Sequence, residues 1–253
     1  MNLFFSYFGG KVGLASRYPA PQGDEIVIEP FAGAAGYSTF YEAERVILLD
    51  LYPTIVETWQ FLIDAANDPA MLEVLKSLPV GPFYKWSNPI PTDIPIGAQN
   101  LIGFWETQSQ TYPSRWQQSP TIYPDGTPRP KNRGGLWNEG MKQRIIEQVP
   151  KIRHWKVFNA SYTDAQSILA SEGIDEQKCV WHIDPPYQNG GKRYKKSCNQ
   201  IDFKALGDWV LSLDGKIMVC ERDPADWLPF RKLVDAKNAS NKEYKELVWT
   251  RGF

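Results

Sequence analysis

Short apolar runs alternate with amphipathic stretches over most of the chain, and the runs have the length of buried strands. Strands are predicted at residues 25–29, 46–49, 156–158, 179–183, 216–220 and 246–250. Amphipathic spacing predicts helices at residues 12–18, 37–43, 53–64, 69–77, 99–108, 138–149, 163–172, 202–213 and 227–233. Strands that alternate with helices are typical of an α/β fold, here with a mainly parallel sheet and right-handed crossovers.

The pattern changes between residues 79 and 135, where prolines recur and the one predicted helix is that near residues 99–108. So long a loop-rich segment is unusual inside a compact domain, and we predict an inserted functional region at residues 79–149. The α/β domain is then formed by residues 1–78 and 150–253. The insert combines aromatic with basic side chains, among them Arg115, Arg129, Lys131 and Arg133. This combination suits contacts with bases and phosphates, although at least half of the tryptophans are expected to form a small core.

Composition narrows the class of protein. The chain has 253 residues, of which 23% are charged and 42% hydrophobic, and these values are ordinary for a globular protein. A net charge of −1 argues against a protein that simply coats DNA, but it permits a local basic groove. Three cysteines without a Cys-x-x-Cys pair and two histidines argue against a zinc site. Reduced thiols, no signal peptide and no membrane-spanning run predict a cytoplasmic protein.

The first strand is followed by a turn of small residues, Pro30-Phe31-Ala32-Gly33-Ala34-Ala35-Gly36, and then by a helix. A strand, a glycine turn and a helix in succession bring a ligand against backbone amides. Phe31 stands where the dinucleotide fingerprint has its first glycine, so the turn suits a ligand without phosphates. A plain connection between strand and helix is the alternative interpretation.

Asp50 ends the second strand. An acidic residue at this position can accept hydrogen bonds from ribose hydroxyls. It can also act as an N-cap, since Leu51-Tyr52-Pro53 leads into a helix. Both roles are compatible, and the nearby glycine turn favours the sugar contact.

Asp184-Pro185-Pro186-Tyr187 follows the fourth strand, because the two prolines end the apolar run. A carboxylate, a fixed carbonyl and an aromatic ring at one point could hold a flat ring that carries an amino group. The alternative is that these residues merely open a loop. The loop that follows carries the basic residues Lys192, Arg193, Lys195 and Lys196. Its position beside the predicted site favours phosphate contacts over a solvated loop without function.

A further stretch near the N-terminus, Ser6-Tyr7-Phe8-Gly9-Gly10-Lys11, allows close backbone approach and by itself indicates only a tight turn. Together with Glu29-Pro30-Phe31-Ala32-Gly33-Ala34-Ala35-Gly36, Leu49-Asp50 and Asp184-Pro185-Pro186-Tyr187, in this order, it resembles the DNA adenine-specific methyltransferases of the Dam type. The resemblance covers most of the chain outside the insert. Its second and fourth motifs are specific in combination.

The resemblance implies a Rossmann-like sheet, S-adenosylmethionine as the methyl donor and the 6-amino group of a flipped adenine in DNA as the acceptor. It places Tyr7, Lys11, Phe31, Gly33 and Asp50 in the donor site, with Asp184 near it. Asp184, Pro185, Pro186 and Tyr187 would hold the base, and no metal is required. The insert would recognise the target sequence, and the basic residues of the insert and of the loop after Tyr187 would contact DNA.

The chain departs from the family in two places. The asparagine- and glycine-rich recognition stretch has no counterpart between residues 79 and 151, so the GATC specificity is not implied. The loop after Tyr187 is shorter and more basic. Methylation of RNA or of a protein glutamine amide is an alternative, as is a non-catalytic DNA-binding descendant, against which the intact Asp184 and Tyr187 argue. The incomplete glycine fingerprint argues against a nicotinamide dehydrogenase.

Overall fold

In the part of the chain that the structure describes, seven strands form a sheet with helices on both faces. The computed structural model describes residues 1–81, 83, 89–107, 111–113, 137–237 and 243–253. The strands are β1 (Ile26–Glu29), β2 (Val46–Leu49), β3 (Trp155–Phe158), β4 (Cys179–Ile183), β5 (Lys216–Arg222), β6 (Arg231–Lys237) and β7 (Glu243–Arg251). The helices are α1 (Gly36–Tyr41), α2 (Pro53–Asn67), α3 (Pro69–Ser77), α4 (Ile96–Thr107), α5 (Glu139–Gln148), α6 (Ala165–Ser171) and α7 (Phe203–Ser212).

The strand order is β3-β2-β1-β4-β5-β7-β6. Strands β1 to β5 are parallel, whereas β7 lies antiparallel to both β5 and β6. The order reverses between β1 and β4, and at such a switch point the connections diverge and leave a crevice at the carboxyl ends of the strands. The glycine turn after β1 and the Asp184–Tyr187 segment after β4 therefore open into the same crevice.

Each face of the parallel strands is covered by its own hydrophobic layer. Val27 of β1 belongs to the larger core, with the N-terminal segment and helices α2 to α5, whereas Ile26 and Ile28 belong to the smaller core on the side of α6 and α7. Trp59 of α2 sits in the larger core against the rings of Phe4 and Phe5, at 5.6 and 5.3 Å. Burial on both faces explains why the strands are nearly continuous apolar runs.

The predicted strands are all present, and helix α3 has the predicted bounds. Two predicted helices are wrong. At residues 12–18 only a short 3₁₀ helix forms, at Ala15–Arg17, because Gly13 and Pro19 leave little room for a longer one. At residues 227–233 the chain instead enters β6, which pairs with β7 from Arg231 opposite Val248 to Lys237 opposite Glu243. The edge of β7, the next strand along the chain, satisfies the backbone groups of this segment, and the spacing of apolar residues within 227–233 does not indicate that pairing.

The predicted insert contains two helices of the main core. Leu101 and Phe104 of α4 and Ile145 of α5 are fully buried in the same cluster as Trp59. Residues 96–107 and 139–148 therefore pack as part of the α/β domain. The assignment of residues 79–149 to target recognition stays a prediction, and Arg115, Arg129, Lys131 and Arg133 lie outside the described residues.

Candidate active site

A cavity of about 350 Å³ lies at the carboxyl ends of β1 and β4. This volume is within the range of roughly 300–1,000 Å³ that is usual for small-molecule sites. Its walls come from the N-terminal segment and from the connections after β1, β2, β3 and β4. The sequence-predicted residues that line it are Tyr7, Lys11, Phe31, Gly33, Asp50, Asp184, Pro186 and Lys196.

The glycine turn after β1 is held in place from several sides. Gly33 has a φ of +47°, a conformation that glycine adopts at little cost. Its N–H donates to Asp50 Oδ2 at 3.0 Å, and its carbonyl accepts from Trp59 Nε1 at 2.9 Å. A Cβ at this position would lie 3.2 Å from the ring of Tyr7. The turn is therefore tied to β2, to α2 and to the N-terminal segment at once.

Asp50 connects that turn to the start of α2. Its second carboxylate oxygen, Oδ1, accepts from the N–H of Tyr52 at 2.8 Å. Tyr52 is itself the N-cap residue of α2, so Asp50 holds the residue at the cap position without occupying it. Burial raises the pKa of Asp50 to about 6, although the hydrogen bonds from Tyr52 and Gly33 act in the opposite direction. The predicted contact with a sugar hydroxyl remains a prediction.

Asp184 lies where β4 ends, beside the ammonium group of Lys11. Lys11 Nζ is 3.2 Å from Asp184 Oδ1. This oxygen is buried, and among the described residues no donor meets it with hydrogen-bond geometry. A buried carboxylate oxygen whose hydrogen-bonding capacity is unused is suited to accept from a ligand.

Lys11 is predicted to line the donor site, and the structure places its ammonium group beside Asp184 and Tyr187, two residues predicted to hold the base. Lys11 Nζ donates to the carbonyl of Gly9 at 3.1 Å and lies 4.5 Å from the centre of the Tyr187 ring. Burial by itself would lower the pKa of Lys11. Attraction to Asp184 and to Glu246 outweighs it and raises the pKa, so the side chain is charged.

Tyr187 is set back from the cavity. The described residues that line the cavity include Asp184 and Pro186 but not Tyr187. Its hydroxyl donates to Glu246 Oε1 at 2.5 Å, and Lys11 covers one of its faces. Pro185, between Asp184 and Pro186, is buried. A base that stacks on Tyr187 would therefore have to share or replace the place of the lysine.

Sequence reasoning missed Glu246 and Tyr194. Glu246, in β7, is 1% exposed and meets the side chains of Tyr187 and Lys11. Tyr194 lines the cavity, and its hydroxyl donates to the carbonyl of Phe8 at 3.3 Å. One signal for Glu246 was available, since a glutamate directly precedes the apolar run Leu247-Val248-Trp249. A buried carboxylate needs partners, and such a position is a candidate for function.

A buried polar cluster forms the floor of the cavity. Glu29 Oε1 accepts from the N–H and the hydroxyl of Ser38 at 3.0 and 2.6 Å, and Glu29 Oε2 lies 3.2 Å from His182 Nδ1. The imidazole of His182 stacks on Tyr37 with ring centres 4.6 Å apart. Glu29 and His182 belong to β1 and β4, so the cluster joins the strands on either side of the switch point.

The predicted basic loop begins next to the cavity. Lys196 lines the cavity, and Lys192 and Lys195 are exposed on the same loop. The side chain of Arg193 lies outside the described part of the chain. Within the part that is described, no group of three or more histidine, cysteine, aspartate or glutamate side chains is arranged to hold a metal ion. No described helix has both the length and the apolar character needed to cross a membrane.

Comparison of the sequence with models of known protein families and with curated proteins finds no match. The geometry of the cavity is therefore the basis on which a function is inferred.

Proposed function

We propose that the protein transfers a methyl group from S-adenosylmethionine to the 6-amino group of an adenine in DNA. The observation that carries the proposal is that one cavity joins the Asp50-tied glycine turn to a buried oxygen of Asp184, which faces the ammonium group of Lys11 and has no aligned hydrogen bond among the described residues. The first element suits the sugar and amino-acid parts of a donor, and the second suits an amino group. The RNA and protein acceptors named above share the second element.

The donor half favours a ligand without a pyrophosphate. Phosphate groups bind to backbone N–H groups that point away from the protein. In this turn, the N–H groups of Ala32, Gly33 and Ala35 are already used, by Leu49 O, Asp50 Oδ2 and Ala32 O. The sheet also departs from the dinucleotide-binding order 3-2-1-4-5-6, since antiparallel β7 lies between β5 and β6. Both features argue against a nicotinamide dehydrogenase.

The acceptor half suits the chemistry of an aryl amine. S-adenosylmethionine, when bound, supplies an electrophilic methyl group on a sulfonium. The lone pair of an adenine amino group is delocalised into the ring, which makes the nitrogen a weak nucleophile. Asp184 Oδ1 and the carbonyl of Pro185 would accept its two hydrogens and direct the lone pair towards the methyl group. Positioning of this kind and preorganised dipoles can supply much of a rate acceleration.

The proton leaves after the new bond has formed. Transfer would make a carbon–nitrogen bond as the methyl–sulfur bond breaks, so that the sulfur leaves as a neutral thioether and the positive charge passes to the nitrogen. Asp184 could then accept one of the protons of that nitrogen. Since an adenine within a duplex is out of reach of such a cavity, the base must be flipped out. The exposed Lys192 and Lys195 are suited to hold the backbone phosphates meanwhile.

The proposal is tested with labelled donor incubated separately with DNA, RNA and protein, followed by digestion of the labelled product to nucleosides or amino acids. We expect label in DNA, on the 6-amino group of adenine. Label in RNA or on glutamine would identify one of the alternative acceptors, and no transfer to any polymer would contradict an enzyme of this class.

Asp184→Ala should abolish detectable transfer and leave DNA binding nearly unchanged, because phosphate contacts carry most of that binding. The matched control is Asp175→Ala, which alters an exposed aspartate just before the same strand. Normal turnover of Asp184→Ala would show that this carboxylate does not act on the amino group.

A further inference from the structure

Glu246 occupies an unusual place for a carboxylate. It lies in β7, opposite Arg222 of β5, and it is 1% exposed. Its neighbours Leu247 and Val248 are buried as well. Burying an ionisable group costs free energy unless partners compensate it, so the contacts of Glu246 indicate what it does.

All the close polar partners of Glu246 belong to the segments that form the cavity or support it. The same oxygen, Oε1, accepts from the hydroxyl of Tyr187 at 2.5 Å and from that of Tyr18 at 3.3 Å, and it lies 3.9 Å from Lys11 Nζ. Burial raises the pKa of Glu246, whereas Lys11 and the two hydroxyls act in the opposite direction and favour the ionised carboxylate. Glu246 thus links the N-terminal segment to the segment after β4.

Lys11 lies between two carboxylates. Its Nζ is 3.2 Å from Asp184 and 3.9 Å from Glu246, and it has no aligned hydrogen bond to Asp184 Oδ1. The ammonium group lies between Asp184 and the ring of Tyr187. A substrate amino group that binds Asp184 must compete with this ammonium group, so a second anionic partner for Lys11 makes the competition easier.

We propose that Glu246 is a positioning residue for the acceptor half of the cavity. It fixes the ring of Tyr187 through the hydroxyl, and it retains the ammonium group of Lys11 when Asp184 turns to the amino group of the substrate. The inference rests on the proposed function and adds to it a residue that touches neither substrate nor donor.

The charge of Glu246 has a second consequence. Asp184, Glu246 and Lys11 together carry a net charge of −1, next to the nitrogen on which positive charge develops during methyl transfer. In a water-poor cavity, a fixed charge of the opposite sign stabilises such a transition state more than it would in water. Replacing the carboxylate by an amide removes this charge and leaves Asp184 as the remaining close carboxylate of Lys11 among the described residues.

The test compares Glu246→Gln with Tyr187→Phe. The first keeps an oxygen that can accept from Tyr187 and removes the charge, whereas the second keeps the ring and removes the hydroxyl. We expect Glu246→Gln to raise the KM for DNA and to lower kcat, so that kcat/KM falls by about tenfold, the lower end of the scale for a hydrogen bond to a charged group. For Tyr187→Phe, kcat/KM should fall by about threefold, the scale of a typical hydrogen bond. In both variants the Kd for S-adenosylmethionine should stay within about twofold of wild type.

Glu106→Gln is the matched control, since Glu106 of α4 is also a buried glutamate and its Oε1 accepts from the N–H of Trp137 instead. Glu106→Gln should retain the wild-type KM for DNA and the wild-type kcat. If Glu246→Gln loses donor affinity and thermal stability in parallel with turnover, the role is merely structural and the inference is overturned. Wild-type values of KM and kcat in Glu246→Gln would overturn it as well.

A measurement without substrate separates this inference from the proposed function. The hydroxyl proton of Tyr187 should give a strongly downfield NMR signal that is absent from Tyr187→Phe and shifts upfield in Glu246→Gln. If the wild-type protein methylates none of the polymers, the proposed function fails, and the contact is judged by this signal alone. An upfield shift then supports the positioning contact, and an unchanged signal overturns it.

Discussion

At the scale of single residues, the carboxylates of Asp50 and Asp184 differ in how their oxygens are paired. Both oxygens of Asp50 accept from backbone N–H groups, which makes this side chain a structural tie as well as a predicted sugar ligand. Asp184, by contrast, keeps a buried oxygen without a hydrogen bond among the described residues. The difference follows from the backbone around them, since the glycine turn presents a free N–H to Asp50 whereas prolines at 185 and 186 have none to offer.

The state of Asp50 leads to a prediction about pH. Because burial raises its pKa from 3.8 to about 6, the ionised form that accepts from a sugar hydroxyl dominates only above about pH 6. Affinity for S-adenosylmethionine should therefore fall as the pH decreases through 6. Asp50→Asn should bind the donor more weakly at pH 7.5, by about 1.5–3 kcal/mol, and should lack this pH dependence. Calorimetric titration between pH 5 and 8 measures both.

If Asp50→Asn keeps the pH profile of the wild-type protein, a group other than Asp50 causes the pH dependence of donor affinity. The contribution of Asp50 to the stability of the fold changes with pH in the opposite direction. A carboxyl group whose pKa is raised in the folded protein contributes stability that is present below about pH 3.8 and is lost as the pH rises through about 6.

At the scale of secondary-structure elements, helices α2 and α4 pack against each other, although the sequence places α2 in the α/β domain and α4 in the predicted insert. Gly97 of α4 lies so close to α2 that a Cβ would be 2.2 Å from the carbonyl oxygen of Glu57 and 2.6 Å from Cβ of Phe61. Asn100 of α4 donates to Glu57 Oε2 at 2.8 Å. The two helices are thus in close backbone contact, which a larger side chain at residue 97 would prevent.

Gly97→Ala should lower the free energy of unfolding by about 1–3 kcal/mol, because the added methyl group overlaps backbone that cannot move away cheaply. Gly140→Ala is the control, since Gly140 holds the corresponding second position of α5, is exposed, and its Cβ would meet only Asn138 Oδ1 at 3.4 Å. It should leave stability unchanged or raise it by up to about 1 kcal/mol. Urea unfolding of both variants measures the difference, and equal values would mean that α4 can shift freely along α2.

At the scale of the whole molecule, charge is distributed unevenly although the net charge is −1. Acidic side chains line the cavity, and exposed lysines follow β4 on the loop beside it. In the proposed function the lysines, together with the arginines of residues 79–149, hold the phosphates around a flipped base. Binding to DNA should then depend strongly on salt concentration.

Alanine at Lys195, Arg129 or Arg133 should weaken DNA binding. A lost phosphate contact reduces the slope of log affinity against log salt by about one, whereas a lost base contact relaxes specificity at one position. Lys204→Ala is the control, because Lys204 is exposed and paired with Asp208 on α7. Salt titrations on matched and altered target duplexes distinguish these effects. If no variant changes either quantity, DNA contact lies elsewhere on the molecule.

The sequence by itself determined where the parallel strands occur along the chain and which residues stand at their carboxyl ends. Apolar runs, glycine turns and prolines act over a few residues, which is why Gly33, Asp50 and Asp184 could be predicted at one edge of the sheet and all line the cavity. The sequence also predicted where α3 begins and ends.

Only the tertiary structure decided the contacts between distant segments. Helix α4 joins the main core because Gly97 fits against α2, and even the neighbouring residues 231–237 form a strand through their pairing with β7. Glu246 meets a tyrosine 59 positions earlier in the chain, and Lys11 reaches Asp184 across most of it. Such pairs depend on which surfaces the fold brings together and on the partners that a buried charge requires. A local pattern contains neither, so these features follow from packing in three dimensions.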